Sequence, residues 1–208
     1  DEKEYTGFTE RVAVGAGAYT LDATNFPNAS VLKQNHNLGR FRVTNLNGNT
    51  DADAQFETIH CVGTRSFSIF NTTTKQIVFD SGDDFERYTA VNLPTLFNAD
   101  HEDNTPKGRS RAKGPEPEGV TIAQIATETF AFVSLERVGG VVVYNITNPN
   151  NPVFVDYKNS RSTSAYSGDH GPEGITYIAP ANSATGKGYI LVANEISGTI
   201  TIYEVDEN

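Results

Sequence analysis

Methionine is absent from the 208 residues and cysteine occurs once. A chain without methionine that starts at Asp1 is expected to begin at a processing or cloning boundary, so an upstream signal peptide would leave no trace. The single cysteine, Cys61, excludes a disulfide within the chain. In the apolar run FETIHCV it is expected to be a buried structural thiol. No apolar run approaches the roughly 20 residues a membrane span requires, so no membrane insertion is expected. Positive charge is scarce. Sixteen Lys and Arg against 26 Asp and Glu give a net charge of −10, which argues against nucleic acid as a partner and suits a cation-binding surface. Neither a G-x-S-x-G elbow nor an H-x-x-x-H pair occurs, so a serine nucleophile and a zinc site lack support.

What the chain does have is a repeat. Residues 114–146 and 171–205 each contain Pro-Glu-Gly (Pro117-Glu118-Gly119 and Pro172-Glu173-Gly174), an apolar run, a loop and a second apolar run ending in Glu136 or Glu195. A glycine follows (Gly139, Gly198), and a third run ends in Tyr144 or Tyr203, eight residues after the glutamate in both copies. The Pro-Glu-Gly motifs lie 55 residues apart (172 − 117). A period of this length with several short strands per unit predicts a propeller blade. A third copy is expected upstream, because RSFSIFNTTTKQIVFD (65–80) parallels VVVYNITNPNNPVFVD (141–156).

The expected fold is therefore all-β, a β-propeller fragment of about three blades of four-stranded antiparallel sheets. Residues 1–37 read as the remnant of a preceding blade with its connection, and 38–80 as a blade. Residues 81–157 read as a long loop plus a blade, and 158–208 as a loop plus an incomplete last blade. Innermost strands are expected at 38–45, 119–125 and 174–179, and second strands at 56–63, 129–136 and 188–195. Third strands are expected at 65–71, 140–146 and 199–205, and outermost strands at 76–80 and 153–157. The run Val141-Val142-Val143 predicts a strand covered on both faces. Within 81–114, AVNLPTLFN predicts a short helix limited by Pro94. The last blade lacks its outer strand, and the first residues do not read as that strand. Three blades are too few for a closed ring. Further blades are expected to be missing, and residues 1–20 or a second copy paired edge to edge are expected to cover the open strand.

Strand alternation places Glu118 with Glu136, and Glu173 with Glu195, on one face. Asp80, Asp83, Asp84, Glu86, Asp169 and His170 join them there. Crowded carboxylates need a cation, a base or a proton. Calcium suits Asp80, Asp83, Asp84, Glu86 and Asp169, with Glu118, Glu136, Arg137, His170, Glu173 and Glu195 as ligand-binding candidates. The glutamates could equally brace loops by pairing with Arg65, Arg111 or Arg137, and both alternatives stay open. NLNGNTDADAQFE (45–57) fails the EF-hand pattern, because Ala52 and Thr58 stand where glycine and glutamate are required. That leaves a calcium turn through Asn49, Asp51, Asp53 and Glu57, or a polar hairpin loop. The basic loop GRSRAKG (108–114) would balance these carboxylates or grip an anion.

The runs FDSGDDFE (79–86), KGPEPEGVTI (113–122), LERVGGVVVYNITNPNNPVFVDY (135–157), GDHGPEGITYI (168–178) and LVANEISGTITIYEV (191–205) resemble the bacterial choice-of-anchor I proteins, over roughly 38–205 and towards the C-terminal part of their domain. The resemblance implies a secreted, periplasmic or cell-surface propeller tethered by a variable anchor. Some relatives carry an alkaline phosphatase label, although no residue signature for it maps here. Two functions follow. One is a surface domain that binds an extracellular ligand or protein or acts as a scaffold, with a cation on its acidic face. The other is a calcium-dependent phosphoester hydrolase, alkaline phosphatase-like or phytase-like.

Overall fold

The computed structural model describes residues 9–206. It is all-β apart from two short helices and one 3-10 turn, and it divides into two compact units. The first unit takes residues up to Gly63 together with Ser110–Lys113, and the second takes Thr64–Arg109 and Gly114 onward.

In the first unit β1 (Arg11–Ala13) pairs antiparallel with β3 (Arg42–Thr44), and β2 (Thr20–Leu21) pairs in parallel with β4 (Gln55–Phe56). A one-turn helix, α1 (Ala29–Leu32), lies between β2 and β3. Val14, Tyr19, Leu21, Val43 and Phe56 form the core, with Tyr19 stacked on Phe56 at 4.1 Å between ring centroids. The expected blade over 38–80 is not a single sheet here. Strands 38–45 and 56–63 shrink to 42–44 and 55–56, which belong to different pairs, and the boundary between units falls at 63/64. β3 and β4 pair with β1 and β2 rather than with each other, and the loop between them holds two left-handed residues, Ala52 and Ala54 (φ 65° and 73°). Cys61 meets Val43 only through an isolated bridge and is exposed, contrary to the buried thiol expected.

The second unit opens with a hairpin of β5 (Ser68–Asn71) and β6 (Gln76–Asp80), followed by α2 (Asp84–Asn92). The helix begins earlier than AVNLPTLFN predicts. It draws Asp84 and Glu86 into its first turn, where the helix dipole favours carboxylates, and stops before Pro94, whose ring disfavours helix in the preceding residue. Strands β7 (Pro117–Ile125), β8 (Glu128–Leu135), β9 (Val141–Asn145) and β10 (Val153–Lys158) form a four-stranded antiparallel meander. Strands β11 (Pro172–Ile178), β12 (Gly188–Asn194) and β13 (Thr199–Val205) form a three-stranded one. The two copies share their register. Val120 faces Val133 and Ile175 faces Val192, while Ser134 faces Val141 and Ala193 faces Ile200. Pro-Glu-Gly forms a bulge in both, at Pro117/Val120 and Pro172/Gly174. Proline is tolerated there because β7 and β11 are sheet edges.

The sheets stack face to face. Val133, Leu135, Val142, Tyr144 and Tyr157 pack against Phe67 and Phe79 of the hairpin region and against Phe85 of α2. From the opposite face Ala123, Ile125, Phe132 and Val141 meet Ile190 and Val192 of the last sheet. Val141 and Val142 thus point to different cores, and both are buried, as the unbroken valine run predicts. No closed ring of sheets forms among the described residues. The expectation that residues 1–20 cover the last edge falls partly outside them. Within them, Arg11–Ala13 pairs with β3.

Candidate functional site: a buried charge cluster around Arg137

Where β8 ends, the chain enters a turn. The amide of Glu136 donates to the carbonyl of Glu116 (2.8 Å), and in the second copy the amide of Glu195 donates to the carbonyl of Gly171 (2.8 Å). The residue before each repeated proline is thus held by the residue after the second strand, with a left-handed backbone in both copies (Glu116 φ 52°, Gly171 φ 68°). Glycine adopts that conformation freely; a non-glycine residue does so at a cost of about 1–3 kcal/mol. In the first copy the strain is accepted, and it places a carboxylate that is 2% exposed beside Arg137.

Arg137 is the hub. Its Nε donates to Glu116 Oε2 (2.5 Å), and its guanidinium also reaches Asp100 Oδ1 (2.9 Å) and Glu136 Oε1 (3.2 Å). Arg109 pairs with the other Asp100 oxygen. Burial alone would raise Asp100, but hydrogen bonds from Arg109 and Arg137 more than offset it and hold the carboxyl below its ordinary range. Burial, then the nearby Glu116 and Glu118, push Glu136 up to about 8 against the pull of Arg137. At neutral pH Glu136 is therefore mainly a carboxylic acid, and that proton compensates the crowding of Glu116, Glu118 and Glu136.

His101 closes the cluster. Arg137 Nη1 lies 2.8 Å from its Nε2, and a guanidinium can only donate, so Nε2 accepts. Burial, then Arg137, lowers the histidine's pKa and keeps the ring neutral, which places its proton on Nδ1. Nδ1 sits 2.6 Å from Glu136 Oε1 but off the direction of a good hydrogen bond, so this contact is polar rather than directional. The carbonyl of His101 lies 3.2 Å from Nδ1 of His170, whose ring packs on Tyr166 at 4.3 Å and whose Nε2 is buried without a hydrogen-bond partner. Arg161, 4% exposed, donates from Nη1 to the carbonyl of Arg137 and from Nη2 to those of Asp100 and Asp103. It ties the long connections 81–114 and 158–171 to the β8–β9 turn.

Of the expected ligand-binding residues, Glu118, Glu136, Arg137 and Glu195 come together. Ligand atoms of His101, Glu136 and Glu195 lie within 4.8 Å of one another, as do those of Glu116, Glu118 and Glu136. His170 borders the cluster through the His101 carbonyl. Glu173 belongs to neither group and is exposed. The residues expected to hold calcium are occupied elsewhere. Asp80 accepts from Ser66, Ser68 and the Gly82 amide. Asp83 and Asp84 pair with Arg87, and Asp84 also accepts from Tyr144 (2.9 Å). Glu86 pairs with Arg65 (2.7 Å) and accepts from Asn98 (2.7 Å). Asp169 accepts from Ser160 (2.5 Å), Thr199 (2.6 Å) and Thr201 (2.7 Å). In the first unit, Asp51, Asp53 and Glu57 lie close together, but Asn49, Asp51, Asp53 and Glu57 each accept a hydrogen bond from a backbone amide of their own loop.

Glu116, Asp100, His101 and Arg161 were not singled out by the sequence. Glu116 was legible in principle, since aligning the repeats sets it against Gly171. The other three come from long connections that carry no repeat.

Two curated relatives match the chain. Gigasin-3a of Magallana gigas is 27% identical over 184 residues, covering 81% of this chain and 64% of that protein. The mesenchyme-specific cell surface glycoprotein of Strongylocentrotus purpuratus is 22% identical over 195 residues, covering 86% of this chain and 23% of that protein. The chain thus spans less than two thirds of either relative's length. No solved structure gives a significant match. The family model for the choice-of-anchor I domain matches residues 1–149, reaching further toward the start of the chain than the motifs that carry the resemblance and stopping short of the second repeat copy. The chain belongs to the choice-of-anchor I domain family.

Proposed function

We propose that this chain is an extracellular or cell-surface domain of propeller type whose task is binding or scaffolding. Family membership and the name of the sea-urchin relative, a cell surface glycoprotein, support the location. No helix among the described residues is long and apolar enough to cross a membrane. Face-to-face stacking of consecutive antiparallel meanders supports the propeller reading. The observation that carries the preference for binding over catalysis is the self-compensation of the Arg137 cluster. Its guanidinium contacts Asp100, Glu116 and Glu136 and occupies Nε2 of His101, so the cluster braces the β8–β9 turn against the α2–β7 connection and leaves that histidine no free lone pair. Treating intact cells of the source organism with a membrane-impermeant amine reagent tests the location. The chain is expected to be labelled without lysis, and labelling only after lysis would refute it.

One observation favours a hydrolase as the second reading. His101, Glu136 and Glu195 offer three ligand atoms within 4.8 Å, where a divalent cation could replace the proton on Glu136 and serve phosphoester cleavage. Against it, a cation there would displace the Nδ1 proton of His101 and sit beside the Arg137 guanidinium.

A further inference from the structure

Three asparagines stand in the Asn-x-Ser/Thr pattern without proline between: Asn28-Ala29-Ser30, Asn71-Thr72-Thr73 and Asn145-Ile146-Thr147. The pattern is the acceptor signal for asparagine-linked glycosylation, and a folded chain accommodates the sugar where the side chain stands in water on a surface loop. The three differ in that respect. Asn145 lies inside the four-stranded sheet, opposite Phe130 on β8 and Val153 on β10, and its Nδ2 donates to Glu128 Oε1 (2.6 Å). Asn28 is exposed, but it immediately precedes α1, and its serine lies within that helix. Asn71 ends β5, and the turn 72–75 that follows it is exposed throughout.

At Asn71 the side-chain oxygen and nitrogen have separate tasks. Oδ1 accepts from the amides of Thr73 (2.9 Å) and Thr74 (3.0 Å), which fixes the side chain over its own turn. Nδ2 makes no hydrogen bond among the described residues. The turn accounts for the asparagine but not for the threonine two residues on, whose hydroxyl also has no partner among the described residues. The sister hairpin builds a comparable turn with Asn148, whose Oδ1 accepts from the Asn150 amide (3.1 Å), and there Pro149 and Asn150 follow, so the acceptor pattern is absent. We propose that Asn71 is an N-glycosylation site that receives an oligosaccharide from a lipid-diphosphate donor. In the transfer Nδ2 attacks the anomeric carbon, the bond from that carbon to the diphosphate oxygen breaks, and the lipid diphosphate leaves. Nδ2 gives one of its two protons to a base of the transferase. The product is still a neutral amide, so Oδ1 keeps both turn bonds. The inference rests on the extracellular location proposed above, which cell-surface labelling decides independently of any glycan.

The test uses the protein purified from its source organism. Digestion with a peptide-N-glycosidase in heavy-oxygen water should return the peptide holding Asn71 with aspartate in its place and one heavy oxygen incorporated. The peptide holding Asn145 should return unlabelled. Replacing Asn71 would also remove its turn bonds, so the variant is Thr73→Ala, which keeps the side chain of Asn71 and both backbone amides. Secreted from cultured animal cells, the parent chain should lose mass on glycosidase treatment. Thr73→Ala should lose none and should keep the melting temperature of the deglycosylated parent, and Thr73→Ser should retain the glycan. The proposal is overturned by unmodified Asn71 in the source protein, by labelling at Asn145 in its stead, or by a glycan that survives Thr73→Ala. Surface labelling of intact cells together with unmodified Asn71 would overturn this inference and leave the location standing.

Discussion

Glu116 and Gly171 occupy the same turn in two copies of one repeat and share a left-handed backbone, yet only Glu116 carries a side chain, and that side chain is buried against Arg137. Strain in the first copy thus accompanies a charge contact that the second copy lacks. Glu116→Gly relieves the backbone but removes one carboxylate from a buried guanidinium that keeps Asp100 and Glu136. Breaking such a pair costs about 3–5 kcal/mol and the strain returns about 1–3. The expected net loss by chemical denaturation is about 2 kcal/mol. Glu116→Ala loses the same contact without the relief and should be less stable than Glu116→Gly. An alanine variant as stable as the glycine one would contradict the strain.

The elevated Glu136 sets a pH signature. Its folded-state pKa, about 8, lies above its ordinary 4.5. Its contribution is therefore fully present below pH 4.5 and is lost as pH rises through 8. His101 and His170 are lowered by burial, so they act oppositely, but only as pH falls below about 6.5. Between pH 6.5 and 8.5 Glu136 dominates. The melting temperature should fall across that window, with a slope of at most about 1.4 kcal/mol per pH unit for one proton. In Glu136→Gln the slope should vanish. A slope that survives in the variant would assign the titration to another group.

Gly119 and Gly174 hold equivalent positions in unequal surroundings. A Cβ on Gly119 would lie 2.5 Å from Ser134 Oγ and 2.7 Å from the carbonyl of Glu173, whereas one on Gly174 would meet only Ala193 Cβ at 3.5 Å. Gly119→Ala should therefore force β7 and β11 apart and cost about 1–3 kcal/mol. Gly174→Ala should stay within about 0.5 kcal/mol of the parent. Equal losses would mean that the close approach of these strands is not the constraint.

That asymmetry shows what the sequence could and could not say. The repeat exposed the strand order of β7–β13, because both copies carry the same succession of apolar runs, turn glycine and closing tyrosine. It also placed Glu118, Glu136, Glu173 and Glu195 together on one face, and of these Glu118 and Glu195 each lie near Glu136 while Glu173 belongs to neither group. It could not show which glycine is crowded, since that depends on how sheets pack. It misjudged 38–63, where the two short strands pair with β1 and β2 from the start of the chain instead of with each other. Asp100, His101 and Arg161 stayed hidden because they meet the cluster through non-repeating loops, and their partners are separated by tens of residues.

Asp169 provides a check on calcium. Burial would raise its pKa, but three hydroxyl donors, Ser160, Thr199 and Thr201, lower it, so its contribution is present above about pH 4 and lost as pH falls through its folded value. Asp169→Asn turns an amide towards those donors and should cost about 1–3 kcal/mol. Millimolar calcium should leave the melting temperatures of parent and variant unchanged. A calcium-induced rise in the parent that the variant lacks would show a cation bound there.

Hydrolysis of a chromogenic phosphate monoester by the purified chain, with calcium or zinc and then with chelator, tests the central claim most directly. A binding or scaffolding domain whose Arg137 cluster is internally compensated should show no turnover above buffer under any of these conditions, and Glu136→Gln should be indistinguishable from the parent. Metal-dependent turnover that chelator removes and Glu136→Gln abolishes would contradict it and identify His101, Glu136 and Glu195 as a catalytic metal centre.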